Sequence, residues 1–298
     1  MTLRGLNRRW SAASLLVKGP KLAGVDEEFE RLRREPDPVR RGRRATELLA
    51  TYQQRSVELA RLRRAAIEEA RDQLGGSYTE VAKAFGLTKG RITQIRNSAP
   101  PAHRAFFGVG PLDVAVVGRR ILEREDMVIA AEDDAVGAHL IAEAEQLAFT
   151  AERLVIDPRQ EWEPANDAIV VCGPASAHIG NALMSEDPVL GMTIADGGRW
   201  YIVDKATGER FGSALDDPEP RRADVAYLAR HVRDGQVVTH IAGVHALGSI
   251  GAAHYLTEHL AELYAAHPDE SFSMAVTAEF DGLTPKSSDV LVAPRPWA

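Results

Sequence analysis

The chain has 298 residues, of which 45% are hydrophobic and 27% are charged, so it is long enough for two domains of ordinary globular composition. Its single cysteine, Cys172, excludes an internal disulfide and indicates a reducing compartment. No run of apolar residues approaches the ~20 that a membrane helix needs, so we expect no membrane partner.

The charges are divided unevenly along the chain. Residues 1–104 hold 22 Lys and Arg against 12 Asp and Glu, whereas residues 105–298 hold 14 against 31. A basic front half suits a polyanion such as DNA, because lysine and arginine release condensed counterions from phosphates. The acidic back half would be repelled by DNA, so we expect it to act on something else. The alternative is that the two halves simply attract one another within or between subunits.

We predict a basic N-terminal segment over residues 1–37. Its one apolar run, residues 10–17, follows arginines as a secretory signal would, but it is short and ends at Lys18. We therefore expect a short helix there and a cytoplasmic protein.

Residues 38–104 are predicted to form a long helix followed by a DNA-binding domain. Residues 39–74 contain no proline, and their apolar side chains recur at three- and four-residue steps, which is typical of an amphipathic helix of about ten turns. So long a helix offers a seam for a homodimer, although Arg55 and Ser56 interrupt it. Packing on the chain's own C-terminal domain is an equally good alternative.

The most informative stretch, residues 77–96, predicts two short helices joined by a tight turn. Ser77 and Glu80 have the spacing of a capping box at the start of the first helix. Gly86 permits the positive φ that ends this helix, and Thr88 can cap the second one. Two short helices joined in this way are typical of a helix-turn-helix.

The apolar residues of this stretch define its inner face. Val81, Ala82 and Phe85 share one face of the first helix, and Ile92 and Ile95 of the second helix would pack against it. The polar and basic residues left on the second helix suit phosphates and base edges. The predicted DNA-binding residues are Thr88, Lys89, Arg91, Thr93, Gln94 and Arg96.

The same residues, from 80 to 95, closely resemble the promoter-reading helix-turn-helix of bacterial sigma factors, their region-four domain. The resemblance implies that the second helix reads double-stranded DNA, with Lys89, Arg91 and Gln94 where the family contacts it. Gly90 and Thr93 depart from the pattern, since the family usually has an acid and an arginine there. Nothing else resembles the sigma regions that grip core polymerase, so we do not expect a stand-alone sigma factor.

From residue 105 onward the pattern changes to alternating strands and helices, which predicts an acidic α/β domain, residues 105–298, around a mainly parallel sheet. The predicted strands are residues 114–117, 120–122, 168–172, 200–204, 209–212, 236–242, 271–280 and 289–292. The predicted helices are residues 128–150, 176–184, 224–232 and 250–265. The strands at 200–204 and 209–212 are expected to pair as an antiparallel hairpin.

Two loops that follow predicted strands carry a candidate ligand site. Ligands of open α/β sheets lie beyond the carboxyl ends of strands, so a small-molecule or nucleotide effector would bind there. The predicted ligand-binding residues are Gly173, Ser176, Gly243, His245, Gly248 and Ser249. The Gly243–Gly248 spacing resembles a phosphate-binding P-loop, but Ser249 replaces its lysine. The alternative is that these glycines serve only tight strand–helix packing.

No catalytic residue, metal site or cofactor is predicted. His254 and His259 lie five residues apart on a predicted helix, whereas a helical metal pair needs a spacing of four. Cys172 would need a nearby histidine to act as a nucleophile, and free cysteines are commonly small buried hydrophobes.

These features predict a sequence-specific, DNA-binding transcriptional regulator that forms a homodimer and carries a C-terminal sensing or interaction domain. Two alternatives stay open. One is a nucleotide-processing enzyme with a DNA-binding module, motivated by the glycine-rich loop. The other is a protein that contacts RNA polymerase through its acidic half.

Overall fold

The structure, a computed structural model, describes residues 23–120, 127–195, 197–233 and 235–297. The predicted short helix at residues 10–17 and the end of the predicted strand at residues 120–122 lie outside these ranges. The chain divides into two compact units, Met1–Leu49 and Ala50–Ala298. No helix in the described ranges is long and apolar enough to cross a membrane.

The N-terminal part of the chain is helical, with α1 at Ala23–Arg34 and α2 at Pro38–Gln73. Asp37 caps α2, because its carboxylate accepts the Val39 N–H at 2.8 Å, and Pro38 occupies the first helical position, where no N–H is needed. The long helix predicted from periodicity is confirmed.

Two short helices follow, α3 at Tyr78–Ala84 and α4 at Lys89–Ser98. Gly86 has a φ of 64°, which lets the chain turn sharply between them. The Thr88 hydroxyl accepts the Arg91 N–H at 3.2 Å and so caps α4 as predicted. Ser77 occupies the cap position of α3, but its side chain makes no capping bond within the described part of the chain, so the predicted capping box is not formed.

A small apolar core holds these helices on α2. Val81 and Ala82 of α3 pack with Ile92 and Ile95 of α4 around Ile67 of α2, and all five are buried. The inner face predicted from the sequence is therefore correct, except for Phe85. That side chain is 38% exposed at the end of α3.

The rest of the chain is an α/β domain built on a seven-stranded sheet in the order β12-β11-β9-β10-β5-β1-β4. Its strands are β1 Leu112–Val117, β4 Ala151–Ile156, β5 Asp167–Val171, β9 Ala223–Arg233, β10 Gln236–Gly243, β11 Phe272–Asp281 and β12 Thr284–Pro296. The shorter strands are β2 Arg119–Arg120, β3 Met127–Val128, β6 Leu190–Ile194, β7 Trp200–Asp204 and β8 Arg210–Gly212. The helices are α5 Ala131–Gln146, α6 His178–Glu186 and α7 Ala246–Ala266.

The sheet is mixed, so the prediction of a mainly parallel sheet holds for only one part of it. Strands β4, β1, β5 and β10 are parallel neighbours, whereas β9, β11 and β12 add antiparallel pairs. Successive residues of β1 alternate between two cores, with Val114 and Val116 facing α5 and α7 and Ala115 and Val117 facing α6. The predicted hairpin at residues 200–212 forms as β7 and β8, but it belongs with β6 to a separate three-stranded sheet.

The helix predicted at residues 224–232 is wrong, because this segment is the central strand β9. Its polar residues, Asp224, Arg230 and His231, gave the segment an apparent amphipathic pattern. All three are buried in the sheet, and the Arg230 guanidinium donates to the backbone oxygens of Phe106, His267 and Glu270. Periodicity failed because the partners of these groups are distant in sequence.

A buried arginine joins α2 to the α/β domain. Arg104 is fully buried on a 3₁₀ turn at Ala102–Phe107. Its guanidinium donates to the Gln54 side chain of α2 at 2.7 Å and to the Leu147 carbonyl at 3.1 Å, and it lies 3.8 Å from the Phe149 ring centre. Burial lowers the pKa of Arg104 to about 10, so the group stays charged at neutral pH. The alternative that α2 packs on its own C-terminal domain therefore holds for this part of the helix.

Candidate functional site

The exposed face of α4 carries most of the predicted DNA-binding residues. Lys89, Arg91, Thr93 and Gln94 are exposed there, opposite the buried isoleucines. The Arg91 guanidinium donates to the Gln94 side-chain oxygen at 2.6 Å, so these two side chains lie side by side one turn apart. The exposed face of α4 therefore presents cationic and amide groups, while its apolar side chains lie on the buried face.

Three further predicted residues, Thr88, Thr93 and Arg96, also have contacts within the chain. The Thr88 hydroxyl is the helix cap described above, and the Thr93 hydroxyl donates to the Lys89 carbonyl at 3.2 Å. Arg96 turns back to α2, where it donates to Glu68 at 2.6 Å and lies 4.2 Å from the ring centre of Tyr78. Arg96 therefore ties α4 to α2, a role that the sequence did not indicate.

A second candidate site is a cavity of about 480 Å³ at the carboxyl edge of the parallel strands. The chain passes from β1 through α5 to β4 on one side of β1, whereas β5 lies on the other side. The cavity opens at this change of direction, where ligands of open α/β sheets bind. It is lined by Val117, Gly118, Arg119, Asp133, Pro158, Val171, Cys172, Gly173, Ser176, Gly243, Val244, His245, Ala246 and Ser249.

The structure brings five of the six predicted ligand residues together in this cavity. The two loops that contribute them follow β5 and β10, which are neighbouring parallel strands. The sixth residue, Gly248, is buried behind the cavity, where an added Cβ would overlap the Val225 carbonyl. Gly248 therefore allows α7 to pack closely on the sheet. For this residue, the alternative that the glycines serve only strand–helix packing is correct.

The start of α7 already holds a carboxylate from the chain itself. Asp224 is 1% exposed, and one of its oxygens accepts the Gly248 N–H at 2.6 Å and the His245 N–H at 3.1 Å. Burial raises the pKa of this carboxyl above its usual range. A phosphate in a P-loop would take those donors, so Asp224 occupies the place of an anion. Sequence reasoning missed Asp224, because the segment that carries it is predicted to be a helix.

The walls of the cavity carry charges of both signs. Arg119, the first residue of β2, is exposed. Asp133 of α5 is half-buried, which raises the pKa of its carboxyl even though Arg119 acts in the opposite direction. At the rim, the His245 ring lies 3.0 Å from a carboxylate oxygen of Asp216. Such walls suit a small polar molecule with both donor and acceptor groups.

Burial favours the protonated form of the thiol in the cavity. Cys172 is 5% exposed, and burial raises its pKa to about 12. In addition, the Ser249 hydroxyl accepts the Gly243 N–H at 3.0 Å, so it braces the loop. Among the described residues, no group of three His, Cys, Asp or Glu side chains could hold a metal ion.

We expect Gly243→Ala to lower the free energy of unfolding by about 3 kcal/mol, because backbone cannot yield to the new methyl group. A Cβ at Gly243 would overlap the His245 carbonyl and lie 2.6 Å from the Ser249 nitrogen. Gly42→Ala is the control, since nothing lies within 4 Å of its Cβ position in α2 and it should stabilise the helix by roughly 0.5–1 kcal/mol. Urea unfolding measures both, and equal midpoints for the two variants would contradict this packing.

Comparison of this chain with protein-family models, curated proteins and solved structures found no match.

Proposed function

We propose that this protein is a sequence-specific, DNA-binding transcriptional regulator, with α3 and α4 as a helix-turn-helix and α4 as its recognition helix. The observation that carries the proposal is the division of α4 into two faces. Ile92 and Ile95 are 1% and 2% exposed, whereas Lys89, Arg91 and Gln94 all face solvent. A recognition helix needs this division, because one face packs on the domain while the other enters the major groove.

The chemistry of the exposed face supports DNA over an acidic protein as the partner. Arginine can donate two hydrogen bonds to guanine, and glutamine can pair with adenine through its amide. Lys89 at the first position of α4 suits a backbone phosphate. The basic balance of residues 1–104 supplies the sequence-independent part of the affinity.

We propose further that the cavity of the α/β domain binds a small-molecule effector that regulates DNA binding. Helix α2 supports this coupling, because it contacts both parts. Ile67 belongs to the core under α3 and α4, and Gln54 donates to the Thr150 hydroxyl at 3.0 Å, just before β4. A shift of β4 or α5 on ligand binding would therefore reach the DNA-binding helices through one rigid element.

The test is the double variant Arg91→Ala/Gln94→Ala, measured by fluorescence anisotropy on a DNA fragment selected by the protein from a random pool. We expect the affinity to fall at least about tenfold at near-physiological salt, because each base contact is worth ~1–3 kcal/mol. The melting temperature should stay unchanged, since both side chains are exposed.

The control is Arg210→Ala, which removes an exposed cation from β8 of the acidic domain. It lowers the net charge as Arg91→Ala does, but it should leave the affinity nearly unchanged. If the double variant and the control bind the fragment equally well, α4 is not the recognition helix.

A further inference from the structure

A stripe of mostly exposed residues runs along α2, beside the face of the helix that packs on the α/β domain. Its members recur at alternating steps of three and four residues, which is the spacing of a coiled-coil seam. They are Tyr52, Arg55, Leu59, Leu62, Ala66 and Glu69. Leu59 is 66% exposed and Leu62 is 47% exposed, although leucines on a helix of this kind normally pack. We name these six residues the α2 stripe.

The face of α2 that packs on the chain's own domain is a different one. Gln54 and Arg61 are buried there, and Glu58 lies 3.6 Å from the Arg104 guanidinium. The α2 stripe therefore is not the surface that holds the helix in place. Its apolar centre is left to solvent in the single chain.

The apolar surface continues from the helix onto the domain beside it. Leu59 and Arg55 line a cavity of about 770 Å³ together with Val109, Pro111 and Pro164. Val109 is 37% exposed. A partner on the α2 stripe could therefore bury more than a single pair of leucines, as a specific interface requires.

The charges of the α2 stripe identify the partner and its direction. Arg55 lies near the N-terminal end of the stripe, with its guanidinium 5.7 Å from the Tyr52 ring centre, and Glu69 lies at the C-terminal end. In a parallel pair of α2 helices each of these charges would face itself. In an antiparallel pair Leu59 faces Leu62, and Arg55 comes within one turn of Glu69 on the other copy.

We propose that the α2 stripe is the interface of a homodimer, in which α2 packs antiparallel against α2 of a second copy. This inference goes beyond the proposed function, because it concerns the free protein. Where both hold, the two α4 helices are related by a two-fold axis, and the DNA site is an inverted repeat.

The experiment measures the molar mass of the full chain by light scattering in the absence of DNA, over a range of concentrations. Wild type should reach twice the 32.5 kDa of the single chain. Leu59→Glu should stay monomeric at every concentration, because it places a charge against Leu62 of the partner copy. Its melting temperature should equal that of wild type at dilutions where wild type is monomeric, since position 59 is exposed in the single chain.

A charge exchange tests the direction of the two helices. Arg55→Glu and Glu69→Arg should each weaken the dimer at least about tenfold, and the double variant Arg55→Glu/Glu69→Arg should restore it. A monomeric wild type, or a dimer that Leu59→Glu leaves intact, would overturn the interface. If the double variant dimerises no more tightly than the single variants, the antiparallel arrangement is overturned. None of these results depends on DNA binding. The dimer proposal can therefore fail while the proposed recognition helix still holds.

Discussion

Lowering the pH from 7 to 5 is expected to remove about 4 kcal/mol of folding free energy through two buried histidines, His231 and His240. Burial lowers the pKa of His231 to about 2 and that of His240 to about 4. Well above pH 6.5, the usual pKa of histidine, both groups are neutral in the folded and in the unfolded chain. Below pH 6.5 only the unfolded chain takes up these protons. The free energy of unfolding therefore falls by about 1.4 kcal/mol per histidine and pH unit.

The surroundings of His231 explain why it stays neutral. Neither ring nitrogen has a hydrogen-bond partner among the described residues, and the ring stacks edge-on against Trp297 at 4.6 Å. A Glu186 oxygen lies 3.5 Å from Nδ1, but this carboxylate is nearly half exposed and pairs with Arg233 at 2.5 Å. Because Glu186 is partly exposed and already paired with Arg233, it does not offset the desolvation cost of a protonated His231 ring.

The variant His231→Phe isolates this effect, because phenylalanine fits beside Trp297 without a polar atom. Urea unfolding at both pH values should show a loss about 2 kcal/mol smaller in the variant than in wild type. The comparison is needed because Asp167 and Asp224, whose pKa values are raised by burial, change stability in the opposite direction as the pH falls. Equal losses in the two proteins would show that His231 is protonated in the folded state.

Replacing Asp167 by alanine should lower the free energy of unfolding by about 3–5 kcal/mol, since three backbone donors, one buried and two partly buried, lose their acceptor. One Asp167 oxygen accepts the N–H groups of Val109 and Gly110 at 2.7 Å each, and the other accepts that of Val237 at 2.7 Å. These bonds fix the segment that enters β1 against β5 and β10. Thermal and urea unfolding both report the change.

Two further variants make the Asp167 result specific. Asp167→Asn keeps one acceptor oxygen, so it should cost roughly half as much as the alanine variant. Asp217→Ala removes an exposed carboxylate and should change stability by less than about 0.5 kcal/mol. If Asp167→Ala lowers the free energy of unfolding no more than Asp217→Ala does, the Asp167 carboxylate does not hold these strands together.

The helical part of the fold was predictable because its signals are local. Gly86 and Thr88 act on residues within one turn of themselves, and the spacing of Val81, Ile92 and Ile95 defines the buried face directly. The bounds of α2 also followed, since a single repeating pattern covers the whole helix. Local encoding of this kind needs no knowledge of the tertiary structure.

The α/β domain was predictable only in its outline. The helix predicted at residues 224–232 failed because Asp224 and Arg230 are satisfied by loops up to 124 residues away along the chain. Because the antiparallel strand β9 is predicted to be a helix, the sequence predicts a mainly parallel sheet. The two loops of the cavity follow from the rule for the carboxyl ends of strands. Sequence reasoning missed Asp133 and Arg119 in the cavity wall, and Asp224 at the start of α7, because only the folded chain brings them there.

The most direct test of the proposed function is a pull-down of genomic DNA fragments by the purified full chain at near-physiological salt, followed by sequencing. A recognition helix on α4 predicts one shared motif among the recovered fragments, and the antiparallel dimer predicts that the motif is an inverted repeat. The variant Arg91→Ala/Gln94→Ala should lose the motif. Recovered fragments with the same sequence content as the input would contradict a sequence-specific regulator.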